Sequence, residues 1–212
     1  MKKQPGFTLI ELAIVLVIIG LLLGGILKGQ ELINSAKVKN MANDFTSIAA
    51  IVYGYQDKFR AMPGDDPAAV AHTGGTLATS GGTAGNGLIE GAWSSTTSTD
   101  EAVLFWQHVR LAGLAQGPSS IADASYYPKN ADGGRLGVQS VSGFATITGM
   151  GGAFVVCSDG IQGKYAKQLD TALDDGETST GALRAVVSGT PGAGITTALL
   201  ANAANCTVCM SF

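Results

Sequence analysis

Positive charge is scarce in the bulk of this chain. Of 13 Lys and Arg and 16 Asp and Glu overall, the stretch from Ala61 onward holds 6 basic and 12 acidic residues. A surface with that balance repels phosphate backbones, which counts against a nucleic-acid partner. Histidine is limited to His72 and His108. Neither has a second ligand at helical spacing, and both read as surface or partly buried side chains rather than metal ligands. There are three cysteines, Cys157, Cys206 and Cys209. Zinc wants four ligands in a structural site, and the Cys206/Cys209 CxxC lacks both a nearby His and the strand-to-helix setting of a thioredoxin-like motif. The Gly-rich runs contain no phosphate-binding loop ending in Lys and Ser or Thr. With no nucleophile–base pair either, these absences point away from an enzyme, and no cofactor is expected apart from the Ca²⁺ considered below.

Proline is absent between Phe7 and Met62, and this stretch opens on an apolar run from Phe7 to Leu27. As a helix the run would be roughly 30 Å long, about the thickness of a bilayer's hydrocarbon core. One acid, Glu11, interrupts it. A carboxylate at that depth costs about 2.5–3.5 kcal/mol on insertion scales, so it calls for a partner. An ordinary secretory signal would end in a small-residue cleavage site, but this run ends Gly24-Gly25-Ile26-Leu27-Lys28 without one. A plain membrane anchor has no use for Glu11.

The segment Lys2-Lys3-Gln4-Pro5-Gly6-Phe7-Thr8-Leu9-Ile10-Glu11-Leu12 resembles the class III signal of type IV pilins and of the pseudopilins of type II secretion. The shared pattern is a short basic leader, a Gly, a Phe opening the apolar helix, and a Glu at the fifth position after the cut. The resemblance implies cleavage between Gly6 and Phe7 by a prepilin peptidase, with methylation of the new amine on Phe7. It also implies that Glu11 pairs with the N-terminal amine of a neighbouring subunit. Such a pair would set stagger and register more than raw stability, since an unpaired charge in low dielectric is costly and a paired one far less so. Many major pilins carry a Pro in this helix. Here Gly24 and Gly25 are the residues expected to soften it.

Beyond the run, Val38, Met41, Phe45, Ile48, Val52, Tyr55 and Phe59 recur at spacings of three and four. That is one stripe on a helix continuing to about Arg60. Met62-Pro63-Gly64-Asp65-Asp66-Pro67 stops it. Asp66 and Pro67 read as the cap and first turn of a short helix to about His72, and the acid pair serves turn formation rather than a metal. Residues 73–99 form a long Gly/Thr/Ser surface loop. Ser98-Thr99-Asp100-Glu101 reads as a capping box, opening a helix Asp100–Leu114. Strand-like runs follow at Arg135–Val141, Phe144–Met150 and Ala153–Cys157, separated by two-residue gaps that suit hairpins. A helix from Gln162 to Leu173 and strands Leu183–Val187 and Cys206–Phe212 complete the pattern. Trp93 and Trp106 are expected in core or inter-subunit packing.

In the last strand Cys206, Val208, Met210 and Phe212 share one face, and Thr207, Cys209 and Ser211 the other. A Cys157–Cys206 bridge is the expectation, with Cys157–Cys209 the competing pairing. The turn Asp170-Thr171-Ala172-Leu173-Asp174-Asp175-Gly176-Glu177 makes Asp174, Asp175 and Glu177 candidate Ca²⁺ ligands, because Ca²⁺ favours closely spaced carboxylates on a Gly-permitted turn. Its spacing is not that of an EF-hand, and a plain helix end with Gly176 as the C′ residue is the competing reading.

The expected fold is α+β. A long N-terminal helix, membrane-spanning in its first half, packs on a small antiparallel head with a long Gly/Thr/Ser loop, a lollipop. This order of elements also matches the pilin fold, as the resemblance implies. The boundaries are a leader at 1–6, a transmembrane and filament-core helix at 7–29 and a head at 30–212. The expected role is a structural subunit of a type IV pilus or a type II secretion pseudopilus. It sits in the inner membrane before assembly and in a periplasmic or extracellular filament after. Partners implied by resemblance are further copies, other pilins, the prepilin peptidase, an assembly ATPase and an inner-membrane platform protein. The alternatives are a membrane-anchored periplasmic binding domain that never polymerises, and a minor pilin with an adhesive or DNA-receptor role.

Overall fold

The computed structural model describes residues 8–212. The chain divides into two compact units, Met1–Lys37 and Val38–Phe212, and helix α1 (Leu9–Phe59) contributes to both. In the first unit the large apolar side chains of α1, from Leu9 and Ile10 through Leu32 and Ile33, are exposed. This helix is long and apolar enough to cross a membrane. A Cβ placed on Gly20, Gly24, Gly25 or Gly29 would meet nothing within 4 Å, so no contact inside the chain requires these glycines.

From Val38 the helix changes character. The stripe Val38, Met41, Phe45, Ile48, Val52 and Tyr55 is buried, at the expected spacing, and Phe59 packs at the edge of the same core. The helix ends at Arg60, whose φ of 55° makes it the one non-glycine residue with positive φ among those described. Its N–H still donates to the Gln56 carbonyl at 2.8 Å, a left-handed stop before Pro63.

The remaining elements are α2 (Ala69–Thr73), α3 (Glu101–Leu111), β1 (Leu136–Ser140), β2 (Phe154–Gln162), α4 (Gly163–Leu173), β3 (Leu183–Val187) and β4 (Asn205–Ser211). The four strands form one sheet in the order β1-β2-β4-β3, antiparallel throughout. The α+β expectation is met. The sheet has two covered faces. Val138, Val156, Ile161, Leu183, Ala185 and Val208 meet the helices in the main core. Val155, Cys157, Val186 and Cys209 meet Trp93, Ile147 and Met150 in a second, smaller one.

That second core explains one failed expectation. Phe144–Met150 is not a strand. β1 pairs with β2 directly, and the segment between them folds over the sheet instead, with Ile147 fully buried. Its backbone is satisfied by the loop between β3 and β4, Thr148 N–H donating to the Gly192 carbonyl at 2.8 Å and Gly192 N–H to the Thr146 carbonyl at 3.1 Å. The free edge of β1 is taken by the Gly-rich loop. Ser140 N–H donates to the Ile89 carbonyl at 2.8 Å, and Ile89 N–H donates to Ser140 Oγ at 2.7 Å. That edge is therefore closed to Phe144–Met150.

The capping box is also corrected. The N-cap of α3 is Asp100, and its side chain makes no capping bond. Its carboxylate instead accepts the hydroxyls of Ser80 and Ser95, tying down the loop that precedes the helix. Asp66 does cap locally, accepting Ala68 N–H at 2.8 Å, while α2 itself begins only at Ala69.

Candidate functional site

Gly6 and Phe7, the expected cleavage and methylation residues, lie outside the described residues. Glu11 lies in the first turn of α1. Its carboxylate accepts the N–H of Thr8 at 2.8 Å and the Thr8 hydroxyl at 2.7 Å. Glu11 N–H in turn donates to Thr8 Oγ at 3.3 Å. This is a reciprocal capping box, in which a hydroxyl residue and a Glu three positions on satisfy each other's backbone donors. The Thr8-x-x-Glu11 spacing was present in the sequence as the signal for it. The consequence is that Glu11 has an internal partner at the helix N-terminus, where negative charge is favoured by the helix dipole. Both residues remain exposed, open to an incoming cation.

The head places the cysteines differently from the expectation. Cys157 and Cys209 are bonded, and Cys206 is the free, buried thiol. Alternation along β4 puts Cys206 and Cys209 on opposite faces, as read from sequence. The register decides the pairing. Cys157 stands opposite Cys209, whereas Cys206 stands opposite Ile161, beyond a bulge between Ser158 and Ile161. Burial among apolar groups pushes the Cys206 thiol up to about 11, which keeps it protonated and unreactive.

Asp65 and Asp66 are both buried and both serve the fold. Asp65 accepts N–H bonds from Gly85 at 2.5 Å, Asn86 at 3.3 Å and Gly87 at 2.7 Å. Gly85 and Gly87 hold φ of 89° and 84°, a conformation open to glycine, and so point successive N–H groups at one carboxylate. Burial raises the Asp65 carboxyl, and the three N–H groups pull it part of the way back. Asp66 accepts the Tyr55 hydroxyl at 2.7 Å and bonds His72 Nδ1 at 2.7 Å. Burial raises the Asp66 carboxyl, but His72, Tyr55 and Ala68 together outweigh it and hold it below the usual range. These groups line an open cleft of about 560 Å³ with Gln56, Phe59 and Arg60.

His108 departs from the surface reading. It is fully buried, accepts Gly64 N–H on Nδ1 at 3.0 Å and donates from Nε2 to the Thr76 carbonyl at 2.8 Å. Burial lowers its pKa, so it is a neutral, structural histidine. Trp93 and Trp106 are core residues.

In the acidic turn the ligand atoms of Asp170, Asp174 and Asp175 lie within 4.8 Å of one another. Glu177 is not among them. Its carboxylate turns to the Thr197 N–H at 2.7 Å and the Ser179 hydroxyl at 3.0 Å. The sequence reading missed Asp170 as a member, because a carboxylate inside a helix reads as solvent-facing until the helix is docked.

Residues 1–27 match the prokaryotic N-terminal methylation motif, the prepilin-type signal of type IV pilins and pseudopilins. No curated protein and no solved structure matches the chain. The motif supports a precursor of type IV pilin or pseudopilin type. It implies association with a membrane and assembly with other pilins.

Proposed function

We propose that this chain is a structural subunit of a type IV pilus or a type II secretion pseudopilus. A prepilin peptidase trims it after Gly6, and it polymerises through the apolar half of α1. The observation that carries this reading is the methylation motif at residues 1–27 running into a helix whose apolar side chains stay exposed as far as Ile33. A row of that length is covered in water only by lipid or by other copies. Gly20, Gly24, Gly25 and Gly29, where an added Cβ would meet nothing within 4 Å, allow helices to approach closely. Before assembly the chain is held in the inner membrane, and afterwards it sits in a periplasmic or extracellular filament. The assembly ATPase and platform protein are its partners by resemblance.

After cleavage the Phe7 amine lies one residue from the Thr8–Glu11 box. The same carboxylate that caps its own helix then accepts an amine from the next subunit. The test is mass spectrometry of the protein recovered from its native host, with electron microscopy of sheared or periplasmic material. An N-methylated Phe7 terminus in filaments is expected. Solitary chains still beginning at the lysine-containing leader would refute the proposal.

A further inference from the structure

The cleft of about 560 Å³ beside the end of α1 has the volume of a small-ligand site. Its carboxylates are already engaged by donors of the chain itself. Asp65 holds the Gly-rich loop. Asp66 accepts the Tyr55 hydroxyl at 2.7 Å and Ala68 N–H at 2.8 Å, and bonds His72 Nδ1 at 2.7 Å. Asp66 is held ionised, and an ionised carboxylate only accepts, so Nδ1 is the nitrogen that carries the proton. Phe59 covers one face of the His72 ring, with centroids 5.0 Å apart and planes at 18°. The side chain is still 32% exposed. What remains is Nε2, an acceptor in the neutral ring, with no partner among the described residues.

Arg60 lines the same cleft. Its side chain is 84% exposed and approaches only Asp57, at 3.8 Å, an exposed pair that holds it weakly. Its backbone stands at φ 55°, where glycine is relaxed and arginine is not. Phe59 and Met62 form an apolar wall. The Gln56 amide nitrogen donates to Met62 Sγ at 2.6 Å, which leaves the Gln56 carbonyl oxygen as a second acceptor.

One cation, two acceptors and an apolar wall therefore meet in one cleft. A phosphate would match Arg60 but bring no body for the wall. A plain apolar ligand would match the wall but leave Arg60 and His72 unpaired. A peptide terminus carries the whole set within one residue: a carboxylate, an amide N–H and a side chain. We infer that this cleft binds the C-terminal residue of a peptide ending in an apolar or aromatic side chain. The carboxylate pairs with Arg60, the terminal amide N–H donates to His72 Nε2, and the side chain lies against Phe59 and Met62. Asp66 and Tyr55 touch no part of the peptide; they are positioning residues that fix the His72 ring. This role is independent of polymerisation through α1.

The experiment titrates N-acetyl-Ala-Phe into the full-length chain in detergent micelles at neutral pH, read by ligand-observed NMR with empty micelles subtracted. The expected dissociation constant is about 0.1–1 mM. The C-terminal amide of the same dipeptide should bind about tenfold more weakly, because it lacks the charge that Arg60 recognises. The form methylated on the Phe nitrogen should bind about fivefold more weakly, because it lacks the N–H. Arg60→Gly should also weaken binding about tenfold, with Tm unchanged or higher because glycine relaxes the backbone there. His72→Asn keeps a donor for Asp66 but has no Nε2. It should weaken the parent dipeptide about fivefold and leave the N-methylated form unaffected. Absence of saturable binding at about ten times the upper expected constant overturns the proposal. So does equal affinity for acid and amide, or wild-type affinity in Arg60→Gly. Equal weakening of both peptide forms by His72→Asn overturns the contact assigned to Nε2.

Discussion

Cys157 and Cys209 stand directly opposite one another in the β2–β4 ladder and are joined by a disulfide across 52 positions of sequence. The bridge ties a central strand to the C-terminal strand, which lies between β2 and β3. Replacing both residues with Ala should cost about 2–4 kcal/mol, visible as a lower midpoint in denaturant. Cys206→Ala should leave the bridge intact. Intact-mass mapping under non-reducing conditions should find a 157–209 cross-linked peptide, with Cys206 alkylated only after unfolding. A 157–206 peptide would overturn the register.

Residues that meet their partners close in sequence were legible, and those that wait for a distant partner were not. The α1 stripe from Val38 to Phe59 is a local periodicity, and burial follows it residue by residue. Cys206 and Cys209 were correctly placed on opposite faces for the same reason. Which of them faces Cys157 depends on the register of two strands about fifty residues apart, and on a bulge that sequence does not announce. Phe144–Met150 alternates like a strand, yet the edge it would need is already held by Ile89. At the candidate sites the pattern recurs. Thr8 and Glu11 are three residues apart and carry a readable spacing. The Asp65 loop contacts lie twenty residues on, and the burial of Asp170 appears only once α4 docks.

Glu11 has an internal partner in Thr8 and an exposed position. Its removal should therefore leave helix and membrane insertion intact while stopping addition to a filament. Glu11→Ala should fractionate with the membrane at wild-type levels, be processed at Gly6, and yield at least tenfold fewer filaments by shear and immunoblot. A chain that serves only as an anchored monomer would tolerate Glu11→Leu without loss. Full filament yield from Glu11→Leu would show that polymerisation does not depend on the Glu11 carboxylate.

The Gly-rich loop is held by carboxylates. Asp65 binds Gly85, Asn86 and Gly87, Glu90 binds Thr83 N–H at 3.1 Å and the Asn86 side chain at 2.6 Å, and Asp100 binds Ser80 and Ser95. Asp65→Ala leaves the Asn86 and Gly87 N–H groups without their acceptor, Gly85 N–H keeping the Asp65 carbonyl at 2.8 Å, and should cost about 2–3 kcal/mol. Hydrogen exchange at 85–87 should accelerate far more than in β2 or β4. Equal acceleration throughout the head would mean that Asp65 supports the whole core rather than the loop.

Glu101 gives the head a pH dependence of definite sign. Its side chain is fully buried, with Oε2 accepting Glu90 N–H at 2.7 Å and Oε1 unpartnered among the described residues. Burial is the main force pushing its carboxyl up to about 7; the Glu90 N–H opposes this, and the carboxylates of Asp65, Glu90 and Asp100 add to it. A carboxyl whose folded pKa lies above its unfolded value binds its proton more tightly when folded. The stability it contributes is complete below about pH 4.5 and is lost as pH rises through about 7. Glu101→Gln keeps the shape without the charge, so it should match the wild type near pH 5 and exceed it at pH 8 by on the order of 1–3 kcal/mol. Denaturant midpoints of both chains across pH 5–8 measure the difference. A gap that stays constant with pH would show that Glu101 does not titrate in this range.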